Sequence, residues 1–118
     1  MIITPTITFD FKQYRIRIFK STVSMLGNPD YIQLLVHPKS NLVALRVSSA
    51  NERFALDIRR GPDYKKEEYS IHSKALLEEL HYICPTLCLE QTYRVTGRYI
   101  PKENVVIFNL ITAKIVEE

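Results

Sequence analysis

Arg15 and Arg17 alternate with Ile16 and Ile18 in Tyr14-Arg15-Ile16-Arg17-Ile18-Phe19, with Lys12 before the segment and Lys20 after it. Successive side chains of an extended chain point to opposite faces, so this spacing puts both guanidinium groups on one side of a strand. Such cations suit nucleic acid. Phosphates need them for affinity, and guanine in the major groove accepts two parallel bonds from one arginine. Arg59, Arg60, Lys65 and Lys66 form a second basic cluster that would add phosphate contacts. The same charges also protect an exposed edge strand from aggregation, the structural reading that competes with the functional one.

Other reactive residues carry less. Cys84 and Cys88 sit in CPTLC, with three intervening residues instead of the two of a thioredoxin-like pair. No second cysteine pair completes the four ligands of a zinc site, so buried or incidental thiols are expected. His37, His72 and His81 have no Ser, Cys or acidic partner at a recognised catalytic spacing. Glu78-Glu79 reads as a solvated helix face, and the isolated Gly27, Gly61 and Gly97 form no phosphate loop. The expectation is a protein that is not an enzyme and uses no metal or cofactor.

Length and charge narrow the class. The 118 residues are 46% hydrophobic and 25% charged, which suits one globular domain and excludes a disordered chain. No apolar run approaches the ~20 residues of a membrane helix. The opening MIITPTITFDF has no basic segment followed by a long apolar core, so a cytoplasmic protein is expected. The net charge is +3, but residues 1–61 hold nine Lys and Arg against four Asp and Glu, and residues 62–118 seven against nine. That asymmetry suits a polyanion-binding half beside a half with another task.

The elements that must position the arginines come from a repeat. His37-Pro38-Lys39-Ser40-Asn41-Leu42-Val43-Ala44-Leu45 recurs 63 positions later as Ile100-Pro101-Lys102-Glu103-Asn104-Val105-Val106-Ile107-Phe108. Pro-Lys-x-Asn is turn chemistry: Pro fixes φ and Asn tolerates the left-handed conformation. Each turn joins two β-rich runs, 31–36 to 42–47 and 92–100 to 105–110. Upstream of the first hairpin come the basic strand and a short helix over Lys20–Leu26, with Ser21 or Thr22 near its start and Gly27 closing it. Upstream of the second come a strand over 68–72 and a helix over 73–80, with Ser73 as N-cap. Residues 53–59 read as an extra strand, and 111–118 as a last strand or short extension.

The expected fold is therefore α+β and mostly β: two strand–helix–hairpin repeats packed as a pseudo-twofold small barrel. Residues 1–60 form the first repeat with its extra strand, 61–68 the linker and 69–118 the second repeat, around one shared core. One such unit cannot cover its own apolar face, so a second must close it.

A strand, a short helix ending in Leu26-Gly27 and a hairpin over Tyr31–Val47 resemble the AbrB/MazE swapped-hairpin family. Two copies in one chain look like the tandem arrangement of MraZ-type proteins. The family pattern runs G-R-[apolar]-x-[apolar]-P before its helix; here Tyr14 stands at the Gly and Phe19 at the Pro. The helix arginines of some DNA-binding members are replaced by Val23 and Ser24, and the second copy has Glu68 near the place of Arg15. The resemblance implies DNA binding through the N-terminal strands and adjoining loops. The function expected is thus a DNA-binding transcriptional regulator that docks through Lys12, Arg15, Arg17 and Lys20, with Arg59, Arg60, Lys65 and Lys66 in support. Assembly as a homodimer is compatible with it. The alternative is a non-catalytic protein-binding module, antitoxin-like or a mobile-element-encoded inhibitor. Its anchors would be tyrosines such as Tyr64, Tyr69, Tyr82, Tyr93 and Tyr99.

Overall fold

The computed structural model describes residues 4–63 and 65–117, so Tyr64 lies outside the described residues. Strand β1 (Thr6–Asp10) leads to β2 (Arg15–Phe19), α1 (Lys20–Met25), β3 (Tyr31–His37), β4 (Leu42–Val47) and β5 (Ala55–Asp57). Then follow β6 (Glu68–His72), α2 (Lys74–Ile83), β7 (Thr92–Ile100), β8 (Val105–Asn109), a 3-10 turn over Leu110–Thr112 and β9 (Lys114–Ile115). All pairings are antiparallel, in the order β5–β3–β4–β8–β7–β1–β2–β6, with β9 on β7. The mostly β chain thus curls into a nearly closed, barrel-like sheet, open between β5 and β6.

Period-two patterning decides which face turns inward. Ile7 and Phe9 of β1, Ile16 and Ile18 of β2, Val43 and Leu45 of β4, and Val106 and Phe108 of β8 are all fully buried. Helix α2 adds Leu76, Leu77 and Leu80 to this core, the i, i+3/i+4 stripe of an amphipathic helix. Burying such side chains is worth roughly 1.5–3 kcal/mol each before chain entropy is set against it. Neither hairpin supplies the whole core; the two meet where β4 pairs β8, with Ala44 opposite Ile107. A second seam joins β2 to β6, with Arg17 opposite Ser70.

Local expectations hold where the chemistry is local. Asn41 and Asn104 close their turns with φ of +56° and +52°. Gly27 ends α1 at φ +91°, and the Ser73 hydroxyl accepts from the Leu76 N–H at 3.4 Å. The start of α1 agrees with expectation, but its capping is not local. The helix begins at Lys20, and neither Ser21 nor Thr22 caps it. The Lys20 N–H donates instead to the Glu67 carbonyl at 2.8 Å, so a distant segment satisfies the helix end. The Ser73 N–H likewise donates to the Tyr14 carbonyl at 2.9 Å. Tyr14 and Glu67 both adopt left-handed backbone, φ +52° and +55°. Strand β1 is an addition to the sequence reading, which left 1–11 unassigned.

Gly97 marks the tightest point, where β7 passes from β1 to β8. A Cβ there would stand 2.7 Å from the Ile107 carbonyl oxygen and 2.7 Å from the Phe108 ring. Gly97→Ala must therefore part the strands. We expect a loss of about 1–3 kcal/mol, read as a lower midpoint in thermal or urea unfolding; an unchanged midpoint contradicts the tight packing.

Candidate nucleic-acid interface

Strand β2 turns Ile16 and Ile18 inward, leaving Arg15 and Arg17 together on the outer face, both half-buried. The neighbouring strands determine what each arginine meets. Across β1, Arg15 faces Asp10 and Arg17 faces Thr8; across β6 they face His72 and Ser70. Two residues on the same face of one strand thus receive different partners.

Asp10 is buried, and its carboxylate gathers donors. Oδ1 accepts from the Lys12 N–H at 3.1 Å, the Gln13 N–H at 3.3 Å and the Thr92 hydroxyl at 3.3 Å. Oδ2 accepts from Arg15 Nη2 at 3.3 Å. The side chain of Arg15 is only 20% exposed, and that of Asp10 4%. This pair closes the β1–β2 turn and ties it to β7. Arg15 is thereby a positioning residue for the sheet, with its charge already balanced.

The remaining predicted cations lie at separate places. Lys12 is exposed in the β1–β2 turn, and Lys20 opens α1 with its Nζ 3.9 Å from Glu67. Lys65 and Lys66 are exposed in the turn before β6, so the Lys20–Glu67 contact brings that turn beside α1. Arg60 is exposed after β5. Arg59 is committed locally: Nε and Nη2 reach the two Asp57 oxygens at 3.0 and 2.8 Å, and the guanidinium lies over the Tyr31 ring at 5.1 Å. Those bonds pull the Asp57 carboxyl down to about 2 and raise the Arg59 guanidinium further.

Sequence reasoning missed three cations of the C-terminal half. Strand β7 buries Tyr93 and Val95 and exposes Arg94, Thr96 and Arg98, a period-two signal as clear as that of β2. Arg94 pairs with Thr8 on one side and Lys114 on the other. One cross-strand row therefore reads Lys114, Arg94, Thr8, Arg17, Ser70, with no carboxylate in it. At about 4.8 Å per strand it is roughly 19 Å wide.

The cysteine loop serves structure. The Tyr93 hydroxyl accepts from the Cys88 N–H at 2.8 Å and donates to the Thr86 carbonyl at 3.4 Å, and burial raises the phenol's pKa. His81 Nδ1 lies 2.6 Å from the Leu87 carbonyl. Both thiols are free, Cys84 buried and Cys88 exposed.

Two predictions follow from these charges. Arg15→Ala leaves a buried carboxylate without its cation, and we expect about 2–4 kcal/mol less stability in urea unfolding; wild-type stability contradicts the positioning role. The Asp57 carboxyl should titrate at about 2 by NMR and return towards 3.8 in Arg59→Ala. Its folded pKa lies below the unfolded one, so its small, salt-screened contribution is present above about pH 4 and fades as pH falls towards 2. An unshifted midpoint in the wild type contradicts the pairing.

Comparison with known proteins leaves the fold and its charges to speak for themselves: no family model matches the chain, and neither does any curated protein or solved structure.

Proposed function

We propose that the chain is a duplicated strand–helix–hairpin unit packed about a pseudo-twofold axis, and that it acts in the cytoplasm as a non-enzymatic DNA-binding regulator. The duplication is supported by register. Ala44 and Ile107, equivalent in the two hairpin copies, face each other across β4–β8. Arg17 and Ser70, each central in its strand, do so across β2–β6. One twofold operation exchanges both pairs, and also exchanges the Lys20–Glu67 hydrogen bond with the Ser73–Tyr14 one. It carries β1 onto β5: Ile7 faces Val95 of β7, and Leu56 faces Ile32 of β3. The match lapses at the longer β5–β6 connection, where β5 does not pair with β6. The resemblance to the AbrB/MazE family gains support from Tyr14. Its left-handed φ falls where that family's pattern has Gly, the residue that adopts φ > 0 without strain.

The single observation that carries DNA binding is the pair of exposed cations Arg94 and Lys114, directly opposite each other on β7 and β9 and, among the described residues, without an ion pair. Cations held on a rigid sheet are groups that meet phosphate oxygens. Lys12, in the β1–β2 turn, and Lys20, at the start of α1, are further exposed cations. Arg15 contributes by holding β1 in register.

A second reading, a protein-binding module of the antitoxin or inhibitor kind, is favoured by one feature. An apolar cavity of about 320 Å³, lined by Leu35, Val36, His37, Leu42, Ala44 and Ile107, opens beside the β3–β4 hairpin.

Fluorescence anisotropy with a labelled duplex over a range of salt separates the two. We expect binding that weakens steeply with salt, and a Lys12→Ala slope shallower by about 0.9 for one lost phosphate contact. No affinity for duplex DNA even at low salt overturns the regulator in favour of the protein-binding module.

A further inference from the structure

We infer that the groove along β7, β9 and the 3-10 turn is a phosphate track that holds the sugar-phosphate backbone of one nucleic-acid segment per chain, an inference that rests on the DNA-binding reading. Two cavities of about 380 and 450 Å³ share Thr96 and Thr112 and so form one continuous groove. Its cations are Arg94 and Lys114 at one end and Arg98 at the other, and among the described residues no carboxylate lines it.

The charges here are uncompensated by the fold. Arg94 and Lys114 stand directly opposite each other on paired strands, an arrangement of like charges that destabilises a sheet. Among the described residues neither they nor Arg98 make an ion pair. The contrast with Arg15, Arg46 and Arg59, each bonded to an acid, is direct. A bound anion would relieve the repulsion. The exposed Thr96 hydroxyl, which makes no hydrogen bond to the described residues, adds a donor. The Thr112 hydroxyl is already spent on the Asn109 carbonyl at 2.7 Å.

Geometry favours a polyphosphate chain over an acidic peptide. Arg94 and Arg98 are four residues apart on β7, about 13 Å at 3.3 Å per residue. That is the axial length of about four nucleotides of one strand. An extended peptide gains main-chain bonds only at a free strand edge. Strand β7 offers none at Arg94, because β1 takes one edge there and β9 the other, and β8 takes one of its edges at Arg98. The groove also belongs to one side of the protein. Sixty-three positions before Arg94, Thr96 and Arg98 stand Tyr31, Gln33 and Leu35, which are uncharged. The two halves of one chain therefore cannot grip a palindromic site symmetrically, and one chain should take one segment.

The test is anisotropy with a mixed-sequence duplex, comparing the wild type with Arg94→Ala/Arg98→Ala/Lys114→Ala over a salt series, with thermal unfolding as the folding control. The triple variant should bind more than tenfold more weakly near physiological salt, and its log–log salt slope should fall by about 2.7, or 0.9 per contact. The single variants Arg98→Ala and Lys114→Ala should each lose about a third of that slope, which keeps the test decisive if the triple variant unfolds. A folded triple variant with wild-type affinity and slope overturns the groove while leaving DNA binding in place. Failure of the wild type to bind duplex at low salt removes the DNA-binding reading itself. Displacement of duplex by poly-glutamate at equal charge concentration overturns the assignment to nucleic acid.

Discussion

Burial across two antiparallel seams is the constraint on which the rest of the structure depends. Where β4 pairs β8 and β2 pairs β6, apolar faces that neither half can cover become one core containing Ile16, Ile18, Leu45 and Phe108. A chain of this length has little surface to spare, so a hairpin left alone would expose much of its inward face. The seams also dictate details that seem local. The first turn of α1 is satisfied by Glu67, and the N–H before α2 by Tyr14, because β2 and β6 lie side by side. Left-handed backbone at both Tyr14 and Glu67 accompanies those exchanges.

The same sheet sorts the positive charges into two kinds. Arg15 finds a carboxylate on the neighbouring strand, Arg46 on the turn after its own strand and Arg59 two residues before it, so each is paired within the fold. Asp10 shows how strongly such a group is used: one buried carboxylate joins the β1–β2 turn, Arg15 and Thr92 of β7. Arg94, Arg98 and Lys114 are left to solvent on the opposite side of β1. An exposed surface pair adds little stability, so leaving these cations without acidic partners forfeits little and keeps them available to an external anion. That difference in pairing, more than the net charge of +3, is what gives the surface its polarity.

The asymmetry in chain charge points to the N-terminal half, yet the row of cations is shared. Arg17 comes from that half and Arg94 and Lys114 from the other, separated by most of the chain and joined through Thr8. Counting charges along the sequence therefore underestimates the C-terminal half, whose acids include Asp63 and Glu67 in the turn before β6, Glu68 on β6 and Glu78 and Glu79 on α2. The apolar cavity beside the β3–β4 hairpin lies where the corresponding positions carry no charge, so the two outer faces differ in chemistry.

Features with a short physical range were legible from the residues alone. The alternation of β2, the two Pro-Lys-x-Asn turns, the Ser73 cap and the Gly27 stop each depend on groups within a few positions of one another. The basic character of the strand was equally plain. What Arg15 and Arg17 do was not, because register across β1 gives one a buried aspartate and the other a threonine. Strand β1 went unread because it gains its place by pairing with β7, more than eighty residues away in the chain. By itself the sequence determined the local elements and the supply of cations. Only the tertiary structure decided which cations are neutralised and which stand together, since cross-strand neighbours are chosen by pairing over long range and not by spacing along the chain.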